Sequence, residues 1–289
     1  MSAERLQVGL ERLRSRYRVH LPDGALSRTG YLAGDDDRRA EALNACLRDP
    51  EVRAVILARG GYGLMRILHL LDSDALRRDP KLLVGFSDAT VLLAWARREA
   101  NLRCIHGPMA AQLGELPDAD VEWLFRLMED PRPAGPIPAS LQPMTMLASP
   151  DTDPVEGVLE GGNLCLLSHL QGTPYSPDFS GRVLLLEEVG ERPYRIDRDL
   201  THLGLAGAFD QLAAVVLGDI TECEETIHSD HPEPLEVIRE RLERYGVIAA
   251  QGLPSGHGAR NLAIPLGARC ALDLRRGQLE LLEAAVTAP

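Results

Sequence analysis

The 289-residue chain has almost no lysine: Lys81 is the only one, and arginine supplies the rest of its 31 basic residues against 43 acidic ones. The formal charge of −12 argues against nucleic acid or an anionic membrane as the main partner, because phosphate-rich surfaces are gripped by concentrated positive charge. A lysine-based mechanism, whether Schiff base or Ser–Lys dyad, has only Lys81 to draw on, and that residue lies among charged neighbours outside a strand. Cysteine is sparse too. Cys46, Cys104, Cys165, Cys223 and Cys270 show no C-x-x-C spacing and sit mostly in apolar surroundings, so reduced core thiols are expected rather than a disulfide framework. No apolar run approaches the ~18 residues of a membrane span, and no signal peptide precedes the first polar helix. These absences predict a soluble cytoplasmic protein.

What is present is an alternation of short apolar strands and helices. Helices are expected over 3–18 and over "DDDRRAEALNACLRD", whose Asp35, Asp36 and Asp37 suit a helix N-terminus. "RAVILA" (53–58) reads as a buried strand running into "RGGYG" and a helix over 64–71. "LLVGF" repeats the scheme before a helix over 89–99, and "RCIHGP" is a third strand. Such alternation predicts a parallel sheet covered on both faces, with its site at the carboxyl ends of the strands. Composition changes near Asp130, where "PRPAGPIPASLQPMTMLASPDTDP" has many prolines and no periodicity. The expected organisation is an N-terminal α/β domain over 1–130, a linker over 131–153, and a second domain over 154–289. In that second domain, strands are expected over 155–163, 183–189, 213–220, 264–274 and 278–283, and helices near 164–171, 195–206 and 233–245.

Chemistry-bearing residues gather at the strand ends. In "GFSDA", Ser87 has Gly85 two residues before it and Ala89 two after, the small residues a tight nucleophile turn requires. Its hydroxyl then stands at a helix N-terminus, where backbone N–H groups can meet an oxyanion. The plainer role for Ser87 or Asp88 is to cap the helix that follows. "RGGYG" could cradle an anion or supply a second oxyanion donor. A serine nucleophile needs a base. His257, between glycines in the loop "PSGHGARN", is the better candidate among the eight histidines, and His106 in "IHGPM" competes. Glu187 and Glu188 close an apolar strand on opposite faces, and either could orient the imidazole. Cys223, Glu225, His228, Asp230 and His231 offer metal-donor types, but their spacing matches no zinc pattern and reads as an exposed polar loop.

Taken together, "ARGGYG", "GFSDAT", "HGP", "LEGGNL", "LLLEEVGERPYRIDR" and "GHGARN" resemble the LD-carboxypeptidase (murein tetrapeptide carboxypeptidase) family of serine peptidases, from about Gly9 to Leu274. The resemblance implies a flavodoxin-like N-terminal domain, related to class I amidotransferase folds, and a C-terminal swivelling β/α domain. It implies a catalytic triad of Ser87, Glu187 and His257, with oxyanion donors from the backbone of Asp88 and of a glycine in "RGGYG", Gly60 or Gly61. The reaction implied is removal of the terminal D-alanine from a cytoplasmic murein tetrapeptide through an acyl-enzyme, in peptidoglycan recycling. No metal or organic cofactor is implied, and a homodimer is. The terminal carboxylate calls for a cation, with Arg59 and Arg195 the leading candidates beside Arg192 and Arg198. A branch of the family that confers immunity to peptidyl-nucleotide antibiotics, and a non-catalytic anion-binding protein, are the alternatives. The family also opens with a short apolar strand, whereas Met1 to Leu6 begins almost at the helix. That strand is expected to be absent, leaving an unpaired sheet edge; either the start lies upstream of Met1 or a neighbour covers the gap.

Overall fold

The structure is a computed structural model that describes residues 3–149, 153–225 and 232–288. The chain runs through α1 (Ala3–Arg14), α2 (Asp36–Arg48), β1 (Ala54–Ile56), α3 (Ser73–Arg78), β2 (Leu82–Gly85), α4 (Thr90–Ala100), β3 (Cys104–His106) and α5 (Asp118–Glu129). It continues through β4 (Gly135–Pro136), β5 (Gln142–Pro143), β6 (Val155–Asn163), α6 (Leu164–Leu170), β7 (Arg182–Val189), α7 (Pro193–Leu205) and β8 (Ala214–Thr221). It ends with α8 (Pro234–Arg244), β9 (Ala249–Gln251), β10 (Ile264–Leu266), β11 (Arg269–Asp273) and β12 (Gln278–Leu281). The fold is α/β with two sheets, as the strand–helix alternation requires.

A four-stranded sheet has the order β1-β2-β3-β10, and an eight-stranded sheet the order β4-β12-β11-β6-β7-β8-β9-β5. β1, β2 and β3 are parallel, as are β6 to β9. Their strands carry the near-continuous Val and Leu content of strands covered on both faces. The helix pattern 89–99 becomes α4, whose residues Thr90 to Ala96 are all buried. The acidic start of α2 works as expected: Asp35 accepts from the Arg38 N–H at 2.8 Å.

Several expectations change. The stretch 64–71 forms two 3₁₀ turns, Leu64–Arg66 and Leu68–Leu70, instead of one helix. The apolar run 264–274 splits at Gly267, where φ is +86°. Its first part, β10, pairs antiparallel with β3, while β11 returns to the larger sheet beside β6. The chain therefore crosses between sheets within one apparent strand. The proline-rich stretch 131–153 also contributes β4 and β5 at the two edges of the larger sheet. Prolines are tolerated there because an edge strand needs only half of its N–H groups.

The expected open edge is visible at β1. In a parallel ladder alternate residues bond to one neighbour. Arg53 accepts from Leu82 and Leu57 donates to Val84, so Ala54 and Ile56 turn their N–H and C=O groups away from β2. That side borders a groove of about 1640 Å³ whose lining includes Leu6, Leu10 and Leu13 of α1, Leu21 and Leu43. Hydrogen exchange followed by NMR should therefore find the Ala54 and Ile56 amides exchanging at least about tenfold faster than those of Val55 and Leu57. Equal protection across the four residues would show that the edge is covered.

Candidate active site

β2 ends at Gly85, and the chain reverses through a 3₁₀ turn, Ser87–Ala89, directly into α4. Ser87 adopts φ +59°, a left-handed conformation that costs a non-glycine residue about 1–3 kcal/mol. The small neighbours are required by contact. A Cβ on Gly85 would lie 2.8 Å from Ala89 Cβ and 3.2 Å from Leu57 Cγ. The capping role does not hold, because neither Ser87 nor Asp88 gives a side-chain cap to the turn or to α4. Asp88 reaches instead to the turn at Gly63 and Leu64. Its buried carboxylate accepts from Leu64 N–H at 2.9 Å and from the Gly63 N–H, and burial raises its pKa. This bond ties the "RGGYG" turn to the serine turn. On the same side, a Cβ on Gly60 would meet both Cβ and Oγ of Ser87 at 3.1 Å, so any larger residue there would press on the serine.

The other half of the site comes from the larger sheet. Glu187 lies near the end of β7 and is fully buried, and its Oε2 lies 2.7 Å from His257 Nδ1. The neighbouring acid has a different task. Glu188 accepts from Asn163 Nδ2 at 3.0 Å and from the N–H groups of Cys165 and Val189 at 2.8 Å each. Of the two acids, Glu187 is the one paired with the histidine. Asn163 in turn caps α6 through Leu166 N–H and donates its own N–H to Thr90 Oγ1, the first residue of α4. A Cβ on Gly162 would lie 2.6 Å from that hydroxyl, which explains the "GGN" sequence at the joint between the two sheets.

His257 is held by its loop. Gly256 N–H donates to Asn261 Oδ1 at 3.1 Å, Gly258 N–H donates to Asp219 Oδ2 at 3.2 Å, and Ser255 Oγ donates to Leu262 O. Arg260 makes two bonds to the buried Asp120 of α5, at 2.6 and 3.1 Å. The His257 ring packs on Phe86, the residue before the serine, with centroids 4.7 Å apart. Glu187 and His257 are thereby brought together against the residue that precedes Ser87. His106 is also near, 5.9 Å from the Phe86 ring, but it is wholly buried and burial lowers its pKa to about 4. A group so depressed is a poor proton acceptor, so it does not compete as base.

The candidate cations differ. Arg195 is paired with Glu191 at 3.1 Å and lies over the Tyr194 ring, and Arg192 is paired with Glu225. Arg59 is exposed, has no ion pair among the described residues, and immediately precedes Gly60. Of the suspected metal donors, Cys223 is buried and Glu225 is committed to Arg192, while His228, Asp230 and His231 lie outside the described residues. Sequence reasoning missed Asp88 as a tie, Asp219, Asn163 and the Arg260–Asp120 clamp. Only Asn163, before the apolar helix "LCLLSHL", carried a legible capping signal.

Glu188 has a consequence for stability. Burial raises its pKa from 4.5 to about 7, so between those values the folded state holds a proton that the unfolded state has released. Stability then falls as pH rises through that window. Thermal melting of the wild type and Glu188→Gln should show a steeper decline in the wild type from pH 4.5 to about 7; parallel declines would contradict it.

Comparison with known proteins places the chain in a family. A family model described as the LD-carboxypeptidase N-terminal domain matches residues 1–107, and one for the LD-carboxypeptidase C-terminal domain matches 156–272. The chain is 37% identical over 273 residues to a murein tetrapeptide carboxypeptidase of Pseudomonas aeruginosa, covering 89% of this chain and 84% of that one. It superposes on the crystal structure of a muramoyltetrapeptide carboxypeptidase from Oxalobacter formigenes with a TM-score of 0.82 and 30% identity, over 97% and 95% of the two chains. It is also 26% identical to the Microcin C7 self-immunity protein MccF of Escherichia coli, over 88% and 80% of the chains. The chain belongs to the LD-carboxypeptidase family of serine peptidases and is a hydrolase.

Proposed function

We propose that the protein removes the terminal D-alanine from murein tetrapeptides by serine catalysis, with Ser87 as nucleophile, His257 as base and Glu187 as its orienting acid. The observation that carries this is the 2.7 Å bond between His257 Nδ1 and Glu187 Oε2. It commits the Nδ1 proton to the carboxylate and leaves Nε2 free to accept a proton. His257 takes the Ser87 hydroxyl proton as Oγ bonds to the carbonyl carbon of the L,D-peptide bond. The resulting oxyanion is met by the N–H of Asp88 and that of Gly60 or Gly61. Collapse breaks the C–N bond, the imidazolium gives its proton to the departing amine, and an acyl-enzyme remains. Water then repeats the sequence and frees the shortened peptide. Arg59 receives the terminal carboxylate, since Arg195 is already paired with Glu191. The chain's place is in cytoplasmic peptidoglycan recycling, as a homodimer.

The test is mass spectrometry of L-Ala-D-Glu-diaminopimelate-D-Ala incubated with the protein, beside a peptide ending in D-Ala-D-Ala. Loss of one alanine from the tetrapeptide alone is expected, and loss only from the D-Ala-D-Ala peptide would overturn the reading. Likeness to MccF favours one second reading, cleavage of a peptidyl-nucleotide amide, and the same assay with such an amide decides it. Arg59→Ala should raise KM for the tetrapeptide about tenfold with a smaller change in kcat. An unchanged KM would move the carboxylate site elsewhere.

A further inference from the structure

Four buried polar atoms on three side chains around the triad's acid and base have no hydrogen-bond partner among the described residues: both ring nitrogens of His106, Oε1 of Glu187 and Nδ2 of Asn261. All three side chains are fully buried. They come from three different strands or loops. His106 ends β3 and is in register with Gly85 of β2 and with Ile264 of β10. Asn261 precedes β10 and holds the backbone beside His257 through Gly256. Glu187 arrives from the larger sheet and already spends Oε2 on His257. A buried carboxylate oxygen without a donor is costly, and so is an imidazole with neither nitrogen engaged.

Their chemistry is complementary. A neutral imidazole has one donor and one acceptor, the Asn261 amide nitrogen is a donor, and Oε1 is an acceptor. No direct bond joins them, yet His106 lies within electrostatic reach of both Glu187 and His257. One buried water could accept from Asn261 Nδ2 and donate both to Oε1 and to the unprotonated nitrogen of His106. We infer that His106 is a positioning residue of the triad: a neutral imidazole that, with Asn261 and one bridging water, completes the hydrogen bonding of Glu187 Oε1 and keeps Oε2 aimed at His257. Neutrality is essential to this role, because a charged His106 would repel the imidazolium that forms on His257. Complete burial beside the Phe86 ring keeps it neutral.

This inference rests on the Ser87–His257–Glu187 reading and is tested separately from it. His106→Phe preserves an aromatic ring but removes the polar atoms, and His106→Gln keeps a donor and an acceptor. On the tetrapeptide, His106→Phe should lower kcat about tenfold with KM within about twofold. It should also move the acidic limb of the kcat/KM profile to higher pH, because a carboxylate whose bridging water is no longer anchored by His106 is less satisfied at Oε1 and binds the imidazolium more tightly. His106→Gln should restore kcat to within about threefold of the wild type. A wild-type kcat and an unmoved profile in His106→Phe would overturn the role. If the phenylalanine variant does not fold, or if the wild type leaves the tetrapeptide intact, imidazole ¹⁵N NMR of the unmodified protein decides. His106 held as one neutral tautomer from pH 5 to 8 supports the role; titration of its ring within that range overturns it. An inactive wild type contradicts the reading of function, whereas an active wild type with an indifferent His106→Phe contradicts only the inference.

Discussion

The antiparallel pairing of Ile264 with His106 is the constraint on which the site depends. Ser87 stands at the end of a strand in the smaller sheet, and Glu187 near the end of a strand in the larger one. The loop carrying His257 lies between β9 and β10, elements that belong to different sheets. Because β10 crosses to β3, the loop is drawn over Phe86 while Glu187 reaches it from behind. Trp123 Nε1 donates to Ala263 O at 2.8 Å inside the core, and Arg260 grips Asp120, so α5 fixes the crossing from the other side. A triad assembled from two sheets needs such a joint, since positional errors of about 1 Å cost catalysis heavily.

The same joint offsets local strain. The left-handed Ser87 is unfavourable by itself, and it is held by bonds on either side. Asp88 binds the N–H of Leu64, and Thr90 Oγ1 accepts the N–H of Asn163. Glu188 holds Asn163 from the larger sheet. A network therefore runs from the "RGGYG" turn, through the serine turn, to the acid-bearing strand. Each member is polar and mostly buried, so each is required to bond the next. Strain at the nucleophile is thus a property of this network and not of the turn alone.

Much of this was legible in sequence because it is local. Gly85 and Ala89 flank Ser87 at the spacing a tight turn requires, and the apolar runs of β1, β2, β6 and β7 stand out. His257 between two glycines signalled a loop with close backbone approach, and Gly256 and Gly258 do approach Glu187 and Asp219. What sequence left hidden is pairing across long separations. Glu187 and Glu188 are chemically alike and adjacent; only the positions of His257 and Asn163 distinguish them. The run 264–274 looks like one strand, although Gly267 inside it was a signal for a break. His106 looked like a base because it ends a strand beside Ser87, but its complete burial is a tertiary fact. The "SDA" segment resembled a cap because Ser and Asp usually cap, and Asp88 found a backbone partner 24 residues earlier instead.

The central claim is that residues from two sheets act as one catalytic unit. The most direct measurement compares kcat/KM for Ser87→Ala, His257→Ala and the double variant on the same peptide substrate. Members of one unit are strongly non-additive, so each single variant should lose about 10⁴-fold or more and the double variant little beyond that. Losses that multiply in the double variant would mean that Ser87 and His257 act independently, and the account of a shared site would fail.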